Sequence, residues 1–115
     1  MARGDIVLVE LPEVKGSAGH EQLGKRPALI IHDDATSNVV SVIMIIPFTS
    51  KLSAQRFPHT ILVQPSLANG LDVPSVLEVF QLRAIDKRRL SRTIGHIETN
   101  TMAQIENEIR LLLGL

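Results

Sequence analysis

The residues best suited to chemistry lie in one stretch, Gly19-His20-Glu21-Gln22-Leu23-Gly24-Lys25-Arg26-Pro27. A histidine changes charge near neutral pH, and Glu21 beside His20 completes a titrating pair. Arg26 stays protonated and can only donate hydrogen bonds. Gln22 adds a carboxamide and Lys25 a second cation. A glycine at each shoulder lets the backbone take positive φ and approach a ligand closely. Pro27 opens the apolar run Ala28-Leu29-Ile30-Ile31, a place where a strand tolerates proline. An imidazole, a carboxylate, a carboxamide and a guanidinium therefore gather at the mouth of a buried strand. Reactive groups on a loop held by a rigid sheet are a common functional layout. A second polar group, Thr49-Ser50-Lys51, follows the longest apolar run.

These groups need strands to hold them. Asp5 to Glu10 is dense in β-branched and aliphatic residues and reads as a first strand. Ala28 to His32 reads as a second, and Asp33-Asp34 with Ser37-Asn38 as the turn after it. Val39 to Pro47 is nearly continuously apolar, a strand covered on both faces. Thr60 to Val63, Ser75 to Phe80 and Arg83 to Ile85 are shorter strands, with a turn around Asn69-Gly70 and a helical turn at Lys87 to Leu90. The period then changes. Met102, Ile105, Ile109 and Leu112 form a helical apolar stripe, with Thr101 and Gln104 spaced as a capping box, or Asn100 or Thr99 as the N-cap instead, and Gly114 suited to the C-terminus. Short strands followed by one packed helix suggest a small, strongly bent antiparallel barrel.

The 115 residues, 44% of them hydrophobic, fit a single domain spanning 1–115 with one modest core. There is no cysteine, hence no disulfide or thiolate site. No apolar run approaches a bilayer span and the first residues lack a signal-peptide core; the expectation is a soluble, cytoplasmic protein away from membranes. His20, His32, His59 and His96 lack regular ligand spacing, so neither a metal nor another cofactor is expected. The net charge is zero, yet residues 51–92 carry seven basic and three acidic groups. That balance argues against coating long duplex DNA and leaves room for a local basic groove touching a few phosphates. Lys87-Arg88-Arg89 fits either that groove or a solvated turn.

Five motifs in order resemble one family. Arg3-Gly4-Asp5-Ile6, Gly19-His20-Glu21-Gln22, Lys25-Arg26-Pro27, Pro47-Phe48-Thr49-Ser50 and Gln81-Leu82-Arg83-Ala84-Ile85-Asp86-Lys87-Arg88-Arg89-Leu90 are similar to the MazF/PemK toxins of toxin–antitoxin modules. Nearly the whole chain takes part. The resemblance implies an SH3-like antiparallel β-barrel of the MazF/CcdB type with a C-terminal α-helix, and a homodimer. It implies a metal-independent, sequence-selective endoribonuclease (an mRNA interferase) acting on single-stranded RNA, silenced by a cognate antitoxin whose acidic tail would compete for the RNA groove.

Metal-free cleavage uses the 2′-hydroxyl as nucleophile, which confines the substrate to RNA and leaves 2′,3′-cyclic phosphate and 5′-hydroxyl ends. By resemblance, Arg26 and Thr49 match the family's catalytic arginine and threonine, Arg26 on the phosphorane oxygens and Thr49 holding the phosphate in line. His20 and Glu21 match residues of the RNA site in the PemK/Kid branch. That branch also carries an arginine and an aspartate three and one residues before the glutamine matching Gln81; here those positions are Glu78 and Phe80. The proton acceptor is therefore open between Glu21, His20 and substrate-assisted transfer. Gln22, Lys25, Ser50, Lys51, Arg56, Phe57 and Gln81 are the candidates for RNA binding; Phe57, in the polar Gln55-Arg56-Phe57-Pro58 loop, is the one aromatic candidate for stacking, with core or edge packing the equal alternative. Two other readings remain. One is a gyrase poison of the CcdB type, whose Trp-Gly-Ile tail is replaced here by Leu113-Gly114-Leu115; the other is a catalytically inactive relative that binds RNA or an antitoxin.

Overall fold

A computed structural model describes residues 1–11 and 25–115; His20, Glu21 and Gln22 lie outside the described residues. Seven strands, β1 (Asp5–Val9), β2 (Arg26–Ile30), β3 (Val42–Thr49), β4 (Thr60–Val63), β5 (Ser75–Glu78), β6 (Arg83–Asp86) and β7 (Leu90–His96), form one antiparallel sheet. Its order is β4-β5-β3-β2-β1-β7, with β6 also paired to β3. A short helix, α1 (Asp34–Ser37), follows β2, and α2 (Thr99–Leu113) closes the chain. This is the expected small barrel-like sheet with a C-terminal helix; among the described residues no ladder joins β4 to β7.

Strand β3 is the hub. Along one edge, Ile45 to Pro47 pair with Ile30 to Ala28 of β2. Along the other, Val42 to Ile45 pair with Asp86 to Arg83 of β6, and Phe48 and Thr49 with Leu77 and Val76 of β5. Between β5 and β6 a 3₁₀ turn, Val79–Gln81, steps out of the ladder. That gap explains how Pro47 is housed inside a central strand, where proline is ordinarily excluded. Met44 accepts from Ile31 on the β2 side, and neighbours along a strand point their polar groups to alternate edges. Pro47, with no N–H, therefore faces the interruption rather than an unbroken partner.

The two faces of the sheet carry separate apolar layers. Ile6, Leu29, Ile46, Phe48 and Leu77 form one, on which α2 lays Met102, Ile105, Ile109 and Leu112. Val7, Val9, Ala28, Ile30, Ile43, Ile45 and Ile85 form the other. The helical stripe is thus core packing, as its spacing indicates.

Four local expectations are corrected. The turn at 33–38 contains α1, because Asp33 caps it by accepting from the Thr36 backbone N–H at 3.1 Å. The third strand begins at Val42 rather than Val39 and continues through Thr49. Helix α2 begins at Thr99 with Glu98 at its N-cap and no side-chain cap, so Thr101 and Gln104 form no capping box. The Glu98 carboxylate instead accepts from Ser66 Oγ at 2.6 Å. Strand β7 has no counterpart in the sequence reading: Ser91, Arg92 and Thr93 are exposed, and an edge strand with little to bury has no apolar run to announce it. Gly114 does end α2, in the left-handed conformation.

The turn at 66–70 is pinned against β7. Buried Asn69 accepts from the Ser66 and Leu71 N–H groups and donates to the Gln64 carbonyl. His96 N–H donates to the Ala68 carbonyl at 2.8 Å. A Cβ on Gly95 would lie 2.4 Å from the Ala68 oxygen, and one on Gly70, at φ +68°, 2.0 Å from the Ile94 oxygen. Both obstacles are backbone, so the turn and β7 can meet only where both residues are glycine. Gly95→Ala is accordingly expected to destabilise the fold by about 1–3 kcal/mol, as overpacking does, measured by urea unfolding.

Candidate functional site

Arg26 opens β2 and Thr49 ends β3. Since Ala28 pairs with Pro47 and side chains alternate, Arg26 and Thr49 lie on one face at the same end of the sheet. They line a cleft of about 580 Å³ together with Lys25, Ser50, Leu71, Asp72, Val73, Ser75 and Arg92. Leu8, Pro27, Phe48 and Ile94 add apolar surface to the lining. Three cations against one carboxylate leave the lining basic, suited to an anion of modest size. Thr49 is buried, and its Oγ1 accepts from the Lys51 N–H at 3.2 Å, which fixes the turn leaving β3. Lys25 Nζ donates to Ser91 Oγ at 3.0 Å, tying the entry of β2 to β7.

The structure gathers Arg26, Thr49, Lys25 and Ser50, and leaves four candidates away from the cleft. Lys51 and Gln81 are exposed and do not line it. Arg56 lies over the Phe57 ring at 4.9 Å, and Phe57 meets Phe80 at 5.5 Å between centroids in a tilted pair. Phe57 is thus partly engaged in packing, at 44% exposure. Among the described residues no three His, Asp or Glu side chains converge, and no helix is long and apolar enough to cross a membrane.

Two charged residues of this region were not read as site members. Arg92 was hidden with β7. Glu78, at the end of β5, shares its face with Thr49, because Val76 pairs with Thr49 and lies two residues away. Burial lowers the Arg26 pKa and the Glu78 charge opposes that shift. The Glu78 carboxyl is pushed up by burial, with Arg26 opposing. Burial prevails at Glu78, so ionising it costs more folded than unfolded, and the folded state binds its proton more tightly. Stability held by the neutral form is then present in acid and lost as pH rises through the folded-state pKa. Glu78→Gln is expected to unfold at a higher temperature than the parent at pH 7, with the difference vanishing below about pH 4, as followed by circular dichroism.

The comparisons with known proteins agree with this geometry. Residues 2–113 match the model of a family described as PemK-like, MazF-like toxin of type II toxin–antitoxin system. The chain is 31% identical over 115 residues to the endoribonuclease MazF of Staphylococcus saprophyticus, covering 100% of this chain and 92% of that one. Its fold resembles the crystal structure of MazF from Deinococcus radiodurans, with a TM-score of 0.76, 26% identity, and coverage of 100% and 97% of the two chains. The MazE–MazF structure from the same organism gives 0.76 and 26%, covering 100% and 96%. The chain belongs to the family of PemK-like, MazF-like toxins of type II toxin–antitoxin systems.

Proposed function

We propose that this protein is a metal-independent, sequence-selective endoribonuclease that cleaves single-stranded RNA and is neutralised by a cognate antitoxin. The observation that carries the reading is the meeting of Arg26 and Thr49 at one end of the sheet, in a basic cleft. The relative named above is an endoribonuclease, and a structural neighbour is a MazE–MazF complex. An arginine fork and a hydroxyl can hold a phosphodiester in line while its 2′-hydroxyl attacks the phosphorus and the 5′-oxygen leaves. Arg26 stabilises the charge that develops on the phosphorane. The attacking proton passes to Glu21, to His20 or to the substrate itself. Lys25, Ser50, Gln22 and Gln81 contact splayed nucleotides, with Lys51, Arg56 and Phe57 along the outgoing strand. The protein acts as a homodimer in the cytoplasm, and an acidic antitoxin tail covers the same basic surface.

Incubation of mixed-sequence single-stranded RNA with the protein in EDTA tests this. Discrete cuts ending in 2′,3′-cyclic phosphate and 5′-hydroxyl are expected, slowed by about 10²-fold or more in Arg26→Ala and in Thr49→Ala, as loss of one transition-state donor does. No cleavage by folded protein across varied RNAs would remove the enzymatic reading. Reversing charge at Lys51 and Arg56 is expected to weaken RNA binding and to flatten its dependence on log salt by about 0.7 per lost phosphate contact, measured by fluorescence anisotropy. An unchanged slope would take those two residues out of the RNA surface.

A further inference from the structure

Arg26 is half-buried at the entry of β2, and a long guanidinium side chain left free there would sample many rotamers. Any phosphate it binds must first order it. Among the described residues Arg3 forms an ion pair with Glu106 and Arg88 with Asp86, and His59 Nδ1 lies 2.7 Å from Glu108 Oε1. Arg26 and Glu78 are not among them, yet the charge of each favours the ionised form of the other against the effect of burial.

Strand register explains why. Arg26 and Ala28 face the same way on β2, Pro47 and Thr49 on β3, and Val76 and Glu78 on β5. Ala28 pairs with Pro47, and Thr49 with Val76. Arg26, Thr49 and Val76 thus follow one another across the strands in one row and Ala28, Pro47 and Glu78 in the next. Arg26 and Glu78 stand at opposite corners of the patch with Thr49 and Pro47 of β3 between them; Ala28 and Pro47 are both buried. One is a methyl group and the other a flat ring, so neither raises a barrier between the guanidinium and the carboxylate. Glu78 itself is half-buried, which weakens solvent screening of its charge.

We propose that Glu78 is the positioning residue for Arg26, a counter-charge set across the Ala28–Pro47 floor that draws the guanidinium toward Thr49 before a phosphate arrives. Its effect on cleavage passes through Arg26, and that part rests on the ribonuclease reading above; the ordering of Arg26 does not. The cost to stability of burying the carboxylate is then offset by a cation that is already aimed.

Two readouts on the full chain test it, in Glu78→Gln and Glu78→Asp beside the parent. The first is the ¹⁵N relaxation of the Arg26 Nε–H, assigned by its loss in Arg26→Ala. Glu78→Gln is expected to lower its order to that of exposed arginines, and Glu78→Asp to retain part of it. The second is single-stranded RNA cleavage, where Glu78→Gln is expected to lower kcat about tenfold or more while KM moves less than about threefold, the mark of an interaction needed in the transition state. An Arg26 signal indifferent to both substitutions overturns the proposal, as does wild-type kcat in Glu78→Gln. If the parent itself cuts no RNA, the relaxation readout still judges the Arg26–Glu78 relation, and only the ribonuclease reading falls.

Discussion

The meeting of Arg26 and Thr49 at the candidate site depends on the hydrogen-bond ladders of β3. That one strand pairs with β2, β5 and β6, and its last residue is Thr49. A slip of one residue in either ladder would turn Thr49 to the opposite face and separate it from Arg26. The register is protected by burial on both faces: Ile46 and Phe48 belong to the layer under α2, while Ile43 and Ile45 belong to the other. A strand buried on both faces cannot trade one for the other without exposing large side chains. Precision at the site is therefore a by-product of core packing some residues away.

What the sequence disclosed follows from this. The apolar runs of β1, β2 and β3 and the 3.6-residue stripe of α2 are strong patterns because those elements bury much of their surface. Arg26 and Thr49 were legible because they sit at the ends of such runs. Strand β7 was not, since Leu90-Ser91-Arg92-Thr93-Ile94-Gly95-His96 is largely exposed and paired on one edge only. Its loss to the eye also concealed Arg92. The start of α2 was misplaced because the capping signal at Thr101 and Gln104 is local, whereas Glu98 is committed by a contact with Ser66 far along the chain. Glu78 stood out only as a departure from the PemK/Kid pattern, because its relation to Arg26 is set by pairings across β3 that no spacing reveals.

The cleft joins two kinds of chemistry on one frame. Its cations come from the entry of β2 and from β7, and its hydroxyls from Thr49 and Ser50 at the end of β3, Ser75 of β5 and Thr93 of β7. Lys25 bonded to Ser91 fastens β2 to β7 on the side where β1 lies between them. The cations are therefore held by separate strands whose spacing belongs to the sheet, so their mutual repulsion is borne by the whole ladder rather than by one loop. The cost of concentrating like charge is met by backbone pairing already present for other reasons.

The glycine-to-backbone contact between the 66–70 turn and β7 has a consequence for how such a cleft can diversify. One part of the lining, Gly70 to Val73, begins in that turn, and the adjoining Arg92 to Ile94 belong to β7. Their separation is set by main-chain atoms in van der Waals contact through Gly70 and Gly95, not by the bulk of any side chain. Substitution at Asp72, Val73 or Arg92 can alter what the walls recognise while their spacing stays as it is. Shape and surface chemistry are therefore separable in this protein: mutational drift can change the groups the cleft presents without moving the backbone that carries them.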